Sequence, residues 1–351
     1  MAGKSPRSRP HVFVRDTLLR HNRQTVFTSG QWFRFNGSLW RGIPEYVIRQ
    51  EAQEIIDNDK KLVIQATAQT LNSITELVRV VCSKADGIMD NESDLISFND
   101  CVLEISTRQR KPHDWKHYLT SAFPFDYDPT VRSDVWEMYL DEVVPGDCLS
   151  FLQEFAGYAL TTDTALETAI WLYGPSGCGK STFLDGLRAA FGNRVTTFSI
   201  ANLDARFGLS HLNGKTLAIA AEQPASMKQV QLLNQLISGE GVMVDRKYDH
   251  PFEMFCRAKF LWAMNELPDI PKSGIGLTRR VVVIKFPPLE ESKRNENIKR
   301  QIKLSGQAVF NWALEGLERL QARGHFVRPS ESAHVLKLAT ASDPEIDLSN
   351  E

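Results

Sequence analysis

The segment "TAIWLYGPSGCGKSTFLDGLRAAF", residues 168–191, constrains the chain more than any other. Gly174-Pro175-Ser176-Gly177-Cys178-Gly179-Lys180-Ser181 fits G-x-x-x-x-G-K-[ST], with Thr182 following. The glycines let a backbone curl so that its N–H groups converge on phosphate oxygens. A β-branched and aromatic run precedes the loop and reads as a buried strand. After it, Phe183, Leu184, Leu187 and Phe191 recur at helical spacing, so a helix N-terminus lies under the loop and adds its positive dipole end. Strand, loop and helix together predict a nucleotide-phosphate site. Lys180 is expected at the β- and γ-phosphates of ATP and the Ser181 hydroxyl on Mg²⁺.

The pattern around this segment predicts an α/β fold with a mostly parallel sheet. Short apolar strands, "TAIWLY", "VTTFSI", "KTLAIAAE", "AKFLWAMN" and "RRVVVIKF", alternate with helical stretches. The preceding residues read differently, as a mainly helical region with a small β element. There "TVFTSGQWFRFNGSLWRG" carries a hairpin signal at Asn36-Gly37, and its aromatics fit a small-sheet core or base stacking. Two amphipathic helices follow, then two short strands around Asn99-Asp100, then helix on both sides of Pro145-Gly146. The expected organisation is a basic, solvated arm over 1–24, an N-terminal domain over 25–160, a nucleotide-binding domain over 161–325 and a tail over 326–351.

Composition bounds the function classes. The chain has 351 residues, 42% hydrophobic and 24% charged, with a formal net charge of −2, the profile of an ordinary soluble protein. No apolar run is long enough to span a bilayer, and the basic N-terminus lacks the apolar core of a signal peptide. The five cysteines have no C-x-x-C spacing, which argues for reduced thiols in a cytoplasm rather than a zinc site or disulfide framework.

Three later segments carry candidate chemistry. "GKTLAIAAEQP" ends a small-residue strand in Glu222, a carboxylate able to hold Mg²⁺ through water or to activate the attacking water. "AKFLWAMNELP" ends in Asn265, whose amide suits the γ-phosphate and the lytic water, or simply a turn before Pro268. Arg279-Arg280 opens the last strand, as a solvated strand start or as an arginine finger for a neighbouring subunit's nucleotide. Between them "LISGEGVMVDRKYDHPFEMF" reads as a β-hairpin with Arg246, Lys247 and Tyr248 at its tip. Cations with a ring suit a nucleic-acid backbone, and also a solvated turn.

The order of loop lysine, lone glutamate, basic hairpin, strand-end asparagine and paired arginines resembles the superfamily 3 helicases, the ring motors of small DNA viruses, phages and plasmids. "DLISFNDCVLEI", "PFDYDPT", "LSFLQEFAGYALT" and "FNWALEGLERL" are similar to the phage and plasmid primase–helicase branch, which includes the poxvirus replication helicase. The resemblance implies an AAA+-like P-loop domain with an N-terminal collar, assembly as a homo-oligomer, a hexamer in this family, and 3′-to-5′ movement on single-stranded DNA. It makes Lys180 and Ser181 the nucleotide pair, Glu222 the Walker B acid, Asn265 the sensor, Arg279 or Arg280 the finger, and Lys247 with Tyr248 the channel hairpin. Many relatives carry two adjacent acids where this chain has Glu222-Gln223. Neither a primase domain nor a C-terminal DNA-binding module is expected from this sequence, so a separate primase or origin-binding partner is. A ring ATPase remodelling a protein partner and a non-enzymatic assembly factor with structural ATP remain as alternatives. DNA-stimulated hydrolysis separates both from a helicase.

Overall fold

The computed structural model describes residues 9–199, 203, 208–221, 229–245, 251–268, 275–291 and 296–333. Contacts divide the chain into two compact units, residues 1–91 with 113–120, and residues 92–112 with 121–351.

In the first unit, α1 (Pro10–His21), β1 (Thr25–Thr28), β2 (Gln31–Phe35), β3 (Trp40–Ile43), α2 (Glu45–Asn58) and α3 (Ala68–Cys82) follow in order. The three strands form an antiparallel sheet in sequence order. Its core joins Val14 and Leu18 to Trp32, Ile48, Ala52, Ile74 and Val78. The arm expected over 1–24 is therefore helical from Pro10 to His21. Val14 and Leu18 lie four residues apart and share its one buried face, among several arginines. The aromatics of the small sheet are core: Trp32 and Trp40 are buried. Trp40 stacks on Tyr118 at 5.5 Å and its indole N–H donates to the Trp115 carbonyl, 2.8 Å, which ties 113–120 to this unit.

The second unit begins with the antiparallel β4 (Leu95–Ser97), β5 (Val102–Glu104) and β6 (Arg110–Lys111), then α4 (Asp134–Val143) and α5 (Gly146–Ala159). The Ser133 hydroxyl caps α4 by accepting from the Trp136 N–H at 3.3 Å. There follow β7 (Ala169–Tyr173), α6 (Lys180–Phe191), β8 (Val195–Thr197), β9 (Leu217–Ala221), α7 (Val230–Ser238), β10 (Gly241–Val244), β11 (Phe252–Phe255), β12 (Lys259–Met264), α8 (Ile275–Thr278), β13 (Val281–Lys285), α9 (Glu296–Leu304) and α10 (Gly306–Arg323). The central sheet has the order β13-β7-β12-β9-β8, with every pair parallel.

Both faces of this sheet are covered around β7, β9, β12 and β13, which is why those strands are nearly continuous apolar runs. Ile170, Leu172, Ile219, Leu261 and Ile284 face a core shared with α4, α5, α6 and α10. Trp171, Ala220, Phe260, Trp262 and Val283 face a second core with α7 and the β10–β11 hairpin. One lysine enters a buried strand. Lys259 Nζ donates to the Thr161 and Arg257 carbonyls at 2.7 and 3.1 Å and lies 4.7 Å from the centre of the Tyr158 ring. Burial pulls its pKa down to about 7.

The boundary expected near residue 160 does not coincide with the division of contacts, which falls after Asn91. The strands β4 and β5 and the helices α4 and α5 bury their apolar faces in one core with α6 and α10. Helices α5 and α10 touch backbone to backbone. A Cβ at Gly157 would lie 2.3 Å from the Ala313 carbonyl oxygen, and one at Gly316 would lie 2.2 Å from that of Gln153. Gly157→Val should therefore destabilise the second unit by about 2–3 kcal/mol through overpacking, read as a lower urea midpoint. An unchanged midpoint would contradict the contact.

The described part of the expected tail, residues 326–333, packs on the second unit. Phe326 lies 5.2 Å from the Phe151 ring, and the Ser332 hydroxyl accepts from the Val283 N–H at 2.8 Å.

Candidate nucleotide site

The loop between β7 and α6 curls through positive-φ glycines at 177 and 179. At its entrance the Gly174 N–H donates to Met264 O at 3.3 Å, and a side chain at 174 would stand 2.4 Å from the Phe286 carbonyl oxygen. Only glycine lets β7 leave the sheet between two neighbours this close. Helix α6 then starts on Gly179, whose carbonyl accepts from the Thr182 and Phe183 N–H groups. Among the described residues no side chain caps this N-terminus, so the first N–H groups of α6 are left for an external acceptor.

Lys180 is the chemical centre. The residue is 6% exposed, and Nζ donates to the Gly174 carbonyl at 2.6 Å, the Pro175 carbonyl at 2.9 Å and Asn265 Oδ1 at 3.2 Å. Cys178 Sγ lies 3.4 Å from the same nitrogen. The strand order brings Asn265 here: β12 lies beside β7, in register from Leu261↔Ile170 to Met264↔Tyr173. Loop lysine and strand-end amide therefore meet at the carboxyl edge of the sheet, where ligands bind in open α/β folds.

A cavity of about 300 Å³ opens over the loop, lined by Ser176–Thr182 and Asn265, and by Tyr139 and Val143 of α4 and Leu289, Ile298 and Lys299 around α9. The α4 contribution escaped the sequence analysis. The Tyr139 hydroxyl donates to the Gly179 carbonyl at 2.7 Å, with Val143 beside it. Burial raises the Tyr139 pKa far above the ordinary phenol value, so this group stays a donor. The available signal was the i, i+3, i+7 series Trp136, Tyr139, Val143, which marks a buried face. Tyr139→Phe removes one hydrogen bond from the loop, about 1 kcal/mol. The expected result is a several-fold higher KM for ATP with the fold intact, and an unchanged KM would remove Tyr139 from the site.

The two candidate arginines part company. The Arg280 guanidinium is committed inside the chain, to Glu167 Oε2 at 2.6 Å, the Gly276 carbonyl at 3.1 Å and the Ser238 hydroxyl at 3.1 Å. Arg279 is exposed. Both precede β13, whose first residue pairs with Ala169 at the start of β7. They thus sit at the amino edge of the sheet, and the phosphate loop at its carboxyl edge. Five residues of strand, about 16 Å, separate the two.

Glu222 follows the last residue of β9, and it lies outside the described residues, as do Arg246, Lys247 and Tyr248. The flanks of the expected hairpin pair antiparallel, from Gly241↔Phe255 to Val244↔Phe252. Among the described residues no group of three or more His, Cys, Asp or Glu could hold a metal ion, and no helix is long and apolar enough to cross a membrane.

Comparison with known proteins matches residues 16–145 to the family model described as D5 N terminal like, and residues 172–280 to a family of unknown function, DUF5906. Among solved structures, the apo structure of NrS-1 C terminal region (305-718) superposes with a TM-score of 0.60 at 15% identity, over 95% of this chain and 76% of that one. The A form apo structure of the same region gives 0.59 at 15% identity, over 93% and 74%. The likeness shows a common fold along almost the whole chain.

Proposed function

We propose that this chain is an ATP-driven, ring-forming DNA helicase or translocase serving the replication of a phage, plasmid or other mobile element. One observation carries the reading: the sheet holds Lys180 with Asn265 at one edge and the exposed Arg279 at the other. An arginine so far from its own phosphate loop suits a nucleotide bound by the next subunit. The parallel sheet and the family matches agree with a replication motor.

In this mechanism Lys180 exchanges its loop carbonyls for the β- and γ-phosphate oxygens, and the free N–H groups of α6 complete the cradle. Asn265 orients the attacking water. Arg279 of the adjacent subunit stabilises the charge spread over the transferred phosphoryl group. The exposed Ser181 hydroxyl is a hard oxygen donor and fits Mg²⁺ arriving with the phosphates, with Glu222 as its carboxylate partner. The ion would neutralise charge on the β- and γ-oxygens. Loss of the γ-phosphate then shifts the β10–β11 hairpin, and its tip, with Lys247 on a DNA phosphate and Arg246 and Tyr248 beside it, moves the strand.

Lys247→Ala tests the coupling. Basal ATP hydrolysis should persist while strand separation of a forked DNA substrate disappears. Unwinding at the wild-type rate would sink the hairpin assignment, and ATPase activity indifferent to DNA in the unaltered protein would point to a protein substrate instead.

A further inference from the structure

The backbone around Arg279 is held from two sides, and one of the holders comes from far along the chain. On one side Arg280 fixes the strand start: its side chain is tied to Glu167, Gly276 and Ser238, its N–H donates to Leu277 O at 3.0 Å, and its carbonyl accepts from the Ala169 N–H at 2.8 Å. On the other, the Arg279 carbonyl accepts from the Arg328 guanidinium. Arg328 belongs to the segment that follows α10 and returns across the second unit to the edge strand β13. Three anchors secure this strap. Phe326 packs 5.2 Å from Phe151 and 5.7 Å from Tyr158. The Ser330 hydroxyl donates to Asp147 Oδ2 at 3.0 Å, at the start of α5. The buried Ser332 hydroxyl satisfies the Val283 N–H on the outer edge of β13.

We propose that Arg328 is a positioning residue for the Arg279 guanidinium that is offered to a neighbouring copy. The inference rests on the reading of Arg279 given above and adds its support. The donor from Arg328 fixes the plane of the peptide between Arg279 and Arg280, and that plane sets the direction of the Arg279 side chain. A finger must meet a phosphoryl group bound on another molecule, so an error of direction at its base is magnified along four side-chain bonds. The strap also links the finger's base to α5, which contributes to the core beneath the nucleotide loop.

The test is subunit mixing with the full chain. Arg328→Ala should lower kcat for ATP about 10-fold, as a misplaced catalytic group does, with KM and the melting temperature unchanged. Arg328→Lys, which keeps a donor for the carbonyl, should recover most of the loss. Mixing Arg328→Ala with Lys180→Ala protein should restore turnover, because the latter supplies an intact arginine to a working loop. Mixing it with Arg279→Ala protein should restore nothing. Wild-type kcat in Arg328→Ala overturns the inference. So does failure of the Lys180→Ala mixture to rescue, which would mean the defect lies in the variant's own site. If Arg279→Ala itself turned over at the wild-type rate, the reading beneath would fall and this inference with it.

Discussion

Arg279→Ala protein is expected to lose about three orders of magnitude in ATP turnover, the contribution of an arginine finger, and to regain a share of it when mixed with Lys180→Ala protein. Neither variant is expected to work alone: on the proposed reading one lacks the finger, the other the phosphate lysine. In the proposed ring, a mixture of the two would contain boundaries where an intact loop faces an intact arginine. On the proposed reading the result differs between adjacent residues. Arg280 is engaged with Glu167, Gly276 and Ser238 inside its own subunit, so Arg280→Ala should act through loss of stability and should not be rescued by mixing. Steady-state ATPase assays over a range of mixing ratios check both. Rescue of Arg280→Ala in place of Arg279→Ala would reverse the assignment.

The second large effect is at the loop. Lys180→Ala should reduce kcat/KM for ATP by two to three orders of magnitude, the scale for losing a preorganised donor at developing charge. The same change strips the Gly174 and Pro175 carbonyls and Asn265 Oδ1 of their shared cation, so the loop should also loosen. Lys180→Arg separates the two roles. It keeps the charge, but a planar guanidinium cannot occupy a pocket shaped for a compact ammonium, and turnover should stay low. Equilibrium binding of a labelled ATP analogue reads the first effect, and thermal unfolding reads the second. Wild-type turnover in Lys180→Ala would place the chemistry elsewhere.

Much of this architecture was legible in the residues because its signals are local. A strand buried on both faces is apolar along most of its length, and "AIWLY", "LAIAA", "KFLWAM" and "VVVIK" are strands that form. The Gly-Lys-Ser turn likewise declares its own conformation. What escaped depends on contacts distant in sequence. Tyr139 reaches Gly179 only because α4 lies over the loop, and no spacing rule reports that. The unit boundary moved because α5 needs α10, far downstream, to cover it. The helix α1 was hidden by charge: Val14 and Leu18 are its buried core residues, with Phe13 and Leu19 half-buried beside them, amid six basic residues in the first 23. The pair Arg279-Arg280 was visible in the sequence, but its ion pair from Arg280 to Glu167 was not, because Glu167 is remote along the chain.

Turnover with and without single-stranded DNA, measured on the purified full chain beside its mass in the presence of ATP, bears most directly on the central claim that nucleotide is shared between subunits of a DNA motor. The account predicts an ATP-dependent assembly of several copies whose hydrolysis DNA accelerates. A protein that stays monomeric with ATP and DNA bound, and hydrolyses at one rate throughout, would contradict it.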